Sequence, residues 1–219
     1  MNKIRNVGKD DEISIEGIPL VANIAEQDQL LPSPGLLEFY NDLRNRILYI
    51  DDGVETQIAV EIHKLILAWN REDKDLPVEE RKPIKIMIHS PGGSVPDMNT
   101  IIDTIMLSKT PVYTYNIGMA FSAGLDILLA GSKRFCTPKS EALIHGGYFS
   151  VQGASGAVVD TSENYKRTLK KFEEWILTRT KIDKALYGKK KKSEWYLDAE
   201  EQLKYGVVDK IVDNLEELL

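Results

Sequence analysis

The stretch IKIMIHSPGGSVPDMNTIIDTIM, residues 84–106, decides the fold class. Ile84-Lys85-Ile86-Met87-Ile88 reads as a strand, and Pro91-Gly92-Gly93 breaks it. Val95, Met98, Ile102, Ile105 and Met106 then recur at the spacing that gathers side chains on one helix face. The same unit returns in VYTYNIGMAFSAGLDILLAG, residues 112–131, as a strand, a turn through Gly118 to Gly124, and an apolar helix ending near Gly131. Strands alternating with helices imply an α/β protein with a mainly parallel sheet, whose functional groups collect at the loops that follow the strands. Both glycine turns are therefore expected on one edge of the sheet.

Upstream, Ile47-Leu48-Tyr49-Ile50 is a compact apolar strand closed by Asp51-Asp52-Gly53, and Ile58, Ile62, Leu65, Ile66 and Trp69 mark an amphipathic helix. The charged stretch 71–82 reads as an exposed loop. Residues 1–35 lack sustained periodicity and end in Leu30-Leu31-Pro32-Ser33-Pro34-Gly35, so they are expected to form an arm ahead of a single domain, 36–219. Downstream, Ala142-Leu143-Ile144 delivers His145 to a glycine-rich segment. A helix over about 158–180 follows, striped by Tyr165, Leu169, Phe172 and Ile176. Asp198, with Glu201 three residues on, is the start signal of a short helix that ends at Gly206. Residues 207–212 read as a last strand.

Bulk composition excludes several function classes. With 28 basic and 34 acidic residues and a net charge of −6, no face is set up to neutralise phosphates, so no nucleic-acid partner is expected. No run has the length to cross a bilayer and the first residues carry no secretory core, which points to a cytoplasmic protein without a membrane partner. One cysteine, Cys136, leaves neither a disulfide framework nor a multi-cysteine zinc site, and no metal or cofactor is expected.

A serine hydroxyl becomes a nucleophile when a base takes its proton and amide donors await the oxyanion. Ser122 sits where a strand turns into a helix among Gly118, Ala120, Ala123 and Gly124, a setting that also suits a plain helix cap. Of the three histidines, His63 lies on the polar side of a helix, and His89 at a strand end suits a structural hydrogen bond. His145 ends an apolar strand beside two glycines and is the preferred base.

Five ordered motifs resemble those of the ClpP peptidase family: Ser90-Pro91-Gly92-Gly93, Gly118 to Gly124, Lys133 to Ser140, Leu143-Ile144-His145, and Tyr205-Gly206-Val207-Val208-Asp209. The resemblance covers about residues 46–214. It implies the crotonase-like fold of stacked β-α units, with a protruding strand-helix handle over about 146–185. It makes Ser122 the nucleophile and His145 the base, sets the Gly93 and Ala123 amides at the oxyanion hole, and lays the substrate along Gly146, Gly147 and Tyr148. Where the family usually has an aspartate as third triad member, this chain has Glu194. Asp198 is the competing carboxylate, although capping accounts for it. Asp126 stands where the family is normally hydrophobic, and burying it requires a partner.

The resemblance further implies a serine endopeptidase acting on unfolded polypeptides inside heptameric rings, possibly stacked as a tetradecamer and fed by an AAA+ unfoldase. The handle stripe is read as an interface between stacked rings, with packing on its own chain as the alternative. Two other functions stay open: a non-catalytic ring subunit, and a crotonase-fold enzyme acting on an acyl-CoA thioester, which would not need Ser122 and His145 together.

Overall fold

A computed structural model describes residues 32–147 and 150–218. Most of the expected arm, and Tyr148, lie outside them. In chain order the elements are α1 (Pro34–Asn45), β1 (Ile47–Ile50), α2 (Thr56–Glu72), β2 (Ile84–Ser90), α3 (Val95–Leu107), β3 (Val112–Phe121), α4 (Ala123–Ala130), β4 (Lys133–Cys136), β5 (Glu141–Ile144), α5 (Ser155–Arg179), α6 (Lys184–Lys190), β6 (Trp195–Leu197), α7 (Ala199–Lys204) and β7 (Lys210–Ile211). The result is α/β with a mostly parallel sheet, as the repeated unit predicts.

The strands run β1-β2-β3-β4-β7 in space, every neighbouring pair parallel. The ten-residue β3 forks: its first half pairs with β4, while Met119, Ala120 and Phe121 pair in parallel with Glu141, Ala142 and Leu143 of β5. Among the described strands only β6 is antiparallel, lying against β5 with Ile144 opposite Trp195. One face of the sheet buries Ile50, Ile84, Ile86, Ile88 and Ala120 against α2, α3 and α4. The α4 helix is buried at every position, which is why its sequence is apolar all round with Asp126 as the exception.

Two buried polar knots brace this core. Asn116 and Gln202 are fully buried, and Asn116 Nδ2 donates to Gln202 Oε1 at 3.0 Å and to the Glu141 carbonyl at 2.9 Å. Gln202 Nε2 donates to the carbonyls of Ser140 and Leu197, so α7 is hydrogen-bonded to β3, to β6 and to the residue before β5 at once. At the other corner Arg46 clamps Asp73, with Nη1 to Oδ2 at 2.6 Å and Nη2 to Oδ1 at 2.8 Å. Thr110 Oγ1 also donates to Asp73 Oδ2, at 2.8 Å.

The stretch 71–82 is exposed as expected at all but two of its residues. The exceptions are Asp73, whose burial the bidentate Arg46 guanidinium makes tolerable, and Arg81, whose Nε donates to the Leu76 carbonyl at 3.0 Å. Some boundaries move. Pro34 opens a helix, its missing N–H costing nothing in the first turn, where the sequence showed punctuation. Residues 207–212 hold only a two-residue strand, since Val207 and Val208 are buried in the turn that follows α7. The stripe on α5 is partly spent on its own chain: Ile176 is buried in the core and Phe172 packs against it. That half of the stripe gives no argument for a partner.

Candidate active site

Parallel strands deliver their C-terminal ends to one edge, and here three of them do so side by side. β2 ends in Ser90, whose hydroxyl donates to the Asp52 carbonyl at 2.6 Å and accepts from the Gly92 amide at 3.1 Å, folding the Pro91-Gly92-Gly93 turn back over β3. β3 ends in Phe121, and β5, paired with it, ends one residue before His145. The two glycine turns meet on that edge, as expected from the sequence. A Cβ on Gly92 (φ +102) would fall 2.8 Å from the Ser122 Cβ and from the Phe121 carbonyl oxygen, so only glycine lets the turns approach this closely. A Cβ on Gly93 would lie 2.6 Å from the Val54 nitrogen, where Gly93 bridges to the loop after β1.

Ser122 takes φ +54 and ψ −120, a conformation that L-residues other than glycine rarely adopt. It is held there by its amide, which donates to the Leu143 carbonyl at 3.1 Å, and by its own carbonyl, which accepts from the Asp126 amide at 3.1 Å. Its side chain makes no capping hydrogen bond, so the helix-cap alternative finds no geometric basis. A sharp strand-to-helix turn of this kind lifts a hydroxyl clear of the sheet. Among the described residues the Gly93 and Ala123 amides donate no hydrogen bond, and both border the space in front of Ser122.

That space is a pocket of about 310 Å³. Ser122, His145, Gly93, Ala123, Gly146 and Gly147 all line it, which brings six of the sequence-predicted site residues to one cavity. Gly146 and Gly147 do not form a strand; the Gly146 carbonyl instead accepts from the Tyr165 hydroxyl at 2.7 Å, joining the segment to α5. Tyr148 lies outside the described residues.

The two carboxylates differ in setting. Asp198 is the N-cap of α7 in a reciprocal capping box, its Oδ1 accepting from the Glu201 amide at 2.8 Å, so its carboxylate is engaged structurally. Glu194 precedes β6 and is exposed, with Oε2 accepting from the Tyr196 hydroxyl at 3.0 Å. The antiparallel pairing of β5 with β6 ends at Ile144 and Trp195, one residue before His145 and one after Glu194.

The remaining candidates lie elsewhere. His63 is exposed on α2 with Nδ1 2.8 Å from Thr104 Oγ1. His89 is exposed and rests against Gly118, where a Cβ would fall 2.7 Å from its Cε1, and it does not line the pocket. Cys136 is buried, and desolvation pushes its thiol up to about 11, the opposite of nucleophilic activation. Among the described residues no group of three or more His, Cys, Asp or Glu side chains is placed to hold a metal ion, and no helix is long and apolar enough to cross a membrane. Residues 36–215 match the family model for Clp protease.

Proposed function

The chain belongs to the Clp protease family, and from that premise we propose that it is a serine endopeptidase with Ser122 as nucleophile and His145 as general base. The observation that carries this reading is the forced backbone of Ser122, at φ +54, in a pocket shared with His145 and two undonated amides. His145 takes the Ser122 proton as the hydroxyl oxygen attacks the scissile carbonyl carbon. The carbonyl oxygen turns toward the Gly93 and Ala123 amides, backed by the N-terminal end of α4, as negative charge builds on it. Collapse of the tetrahedral intermediate breaks the C–N bond, His145 returns the proton to the departing amine, and water repeats the cycle on the ester. Glu194 holds the imidazole in the tautomer that accepts from Ser122 and stabilises the imidazolium.

The finer features follow the family resemblance. The substrates are unfolded polypeptides, the subunits close into seven-membered rings that pair as a tetradecamer, an AAA+ unfoldase feeds the chamber, and the compartment is the cytoplasm. A fluorophosphonate tests the chemistry directly: it should modify Ser122 in the native protein and leave Ser122→Ala unlabelled. Glu194→Gln should lower turnover by about 10² to 10⁴ while the melting temperature stays put, the range expected when a triad loses its orienting charge. The presence of Glu194 in place of an aspartate keeps a second reading in view, a non-catalytic ring subunit. A native protein that neither reacts with the probe nor cleaves peptides would select it.

A further inference from the structure

Asp126 is 7% exposed, and its Oδ1 has no hydrogen-bond partner among the described residues. The backbone around it is fully used: its amide donates to the Ser122 carbonyl, and its carbonyl accepts from Trp175 Nε1 at 3.2 Å. Only the carboxylate is left over, and it lines the same pocket as Ser122. Desolvation by burial pushes this group up to about 7. An unpaired buried acid costs stability, so its place in an otherwise apolar helix asks for a partner that arrives from outside.

The pocket describes that partner. Val95, Met98, Leu125, Leu143, Phe172 and Ile176 give it apolar walls, and no lysine or arginine lines it among the described residues. Asp126 follows Ser122 by four residues, so at 1.5 Å of rise per residue it stands about 6 Å deeper along the helix axis. A peptide whose scissile carbonyl rests at Ser122 projects the side chain of the residue just before the scissile bond into this space. A mostly apolar lining that carries one acid, Asp126, suits a hydrocarbon stem ending in a cation.

We infer that the pocket is the primary specificity subsite and that Asp126 selects a basic residue, lysine or arginine, immediately before the cleaved bond. This rests on the peptidase reading for the identity of the subsite. The carboxylate pairs with the incoming ammonium or guanidinium, so each buried charge loses its solvation cost to the other. Leucine in the same place would leave the acid unpaired.

Binding and cleavage separate this inference from the reading beneath it. Full-length Ser122→Ala protein is titrated calorimetrically with hexapeptides that differ only in the residue before the scissile bond: lysine, arginine, norleucine and glutamine. Lysine and arginine peptides should bind about 30-fold tighter than norleucine, the least expected from a desolvated charge pair. The advantage should vanish in Ser122→Ala/Asp126→Asn, which keeps the shape of the side chain, and Ser122→Ala/Asp126→Leu should prefer norleucine. Equal affinity for lysine and norleucine overturns the inference, as does a basic preference that survives Asp126→Asn or glutamine binding as tightly as lysine. The wild-type protein is then assayed for hydrolysis of the same peptides. Basic-selective binding without hydrolysis would sink the peptidase reading and keep the subsite; hydrolysis without basic preference would do the reverse.

Discussion

Two non-glycine residues in the described chain have positive φ, Arg46 at +58 and Ser122 at +54, and each stands beside a buried aspartate. At the Arg46 corner everything is answered. Asp73, 3% exposed, accepts from both guanidinium nitrogens and from Thr110, and Arg46 Nη1 also donates to the Lys82 carbonyl at 2.9 Å. The guanidinium lies over Trp69 at 5.9 Å, and its hydrogen bonds hold the Asp73 carboxyl below the usual range. At the Ser122 corner the backbone is tied down just as firmly, while Asp126 Oδ1 is left unpartnered. Both corners hold a forced backbone, but only at the Arg46 corner do both carboxylate oxygens of the buried aspartate have partners among the described residues, and the proposed site is at the other.

The largest expected effect divides the corners by function. Ser122→Ala should lower peptide turnover by about 10⁴-fold or more, since a triad acts as a unit, while urea unfolding shifts by less than about 0.5 kcal/mol. A comparable loss of stability would mean that Ser122 is a structural turn residue and would break the contrast. Asp73→Ala should do the opposite. Removing one partner of a buried pair costs about 3–5 kcal/mol, measurable in urea, with fluorophosphonate labelling of the folded protein unchanged. Because the Asp73 carboxyl is held below its ordinary value, its contribution is present above about pH 4 and is lost as acid titrates it in the folded state.

Asp126→Leu should stabilise the protein, with a pH dependence of opposite sign. The folded carboxyl is raised from 3.8 to about 7, so between those values the folded state keeps a proton that the unfolded chain releases. Wild-type stability therefore falls as pH rises through that window, by up to about 4 kcal/mol, and levels off above it. Unfolding of the leucine variant should gain little at pH 4 and most at pH 8; an equal gain at both would show that Asp126 is paired in solution. The smallest effect belongs to Asp198→Asn. Asparagine caps helices nearly as well, so melting should move by a few tenths of a kcal/mol and turnover should hold. A large loss of turnover would transfer the orienting role from Glu194 to Asp198.

The residues that line the Ser122 pocket were more legible than their surroundings. Ser122, His145, Gly93 and Ala123 follow strands or glycine turns, and such places are marked locally by an apolar run that meets small residues. The capping box at Asp198 was readable for the same reason, since its donor and acceptor lie three residues apart. Asp73 was not readable, because its partner Arg46 is 27 residues away and nothing local distinguishes it from the charged residues that do face solvent. The α6 helix and the strand β6 went unread: each is shorter than the window in which periodicity shows, and both are held by packing of Tyr187, Trp195 and Leu197 into the core.

By itself, then, the sequence determined the parallel α/β class, the order of its β-α units, and which residues stand at the strand ends. These follow from side-chain periodicity and glycine conformational freedom, which act over a few residues. Tertiary structure alone decided that Gly92 meets Ser122, that β5 pairs with the far half of β3 so that His145 reaches the same pocket, and that Phe172 and Ile176 turn inward. It also decided that Asp126 is buried with one oxygen that has no partner among the described residues. Burial and pairing are properties of what surrounds a residue, and at these positions the surroundings come from strands and helices far away in the chain.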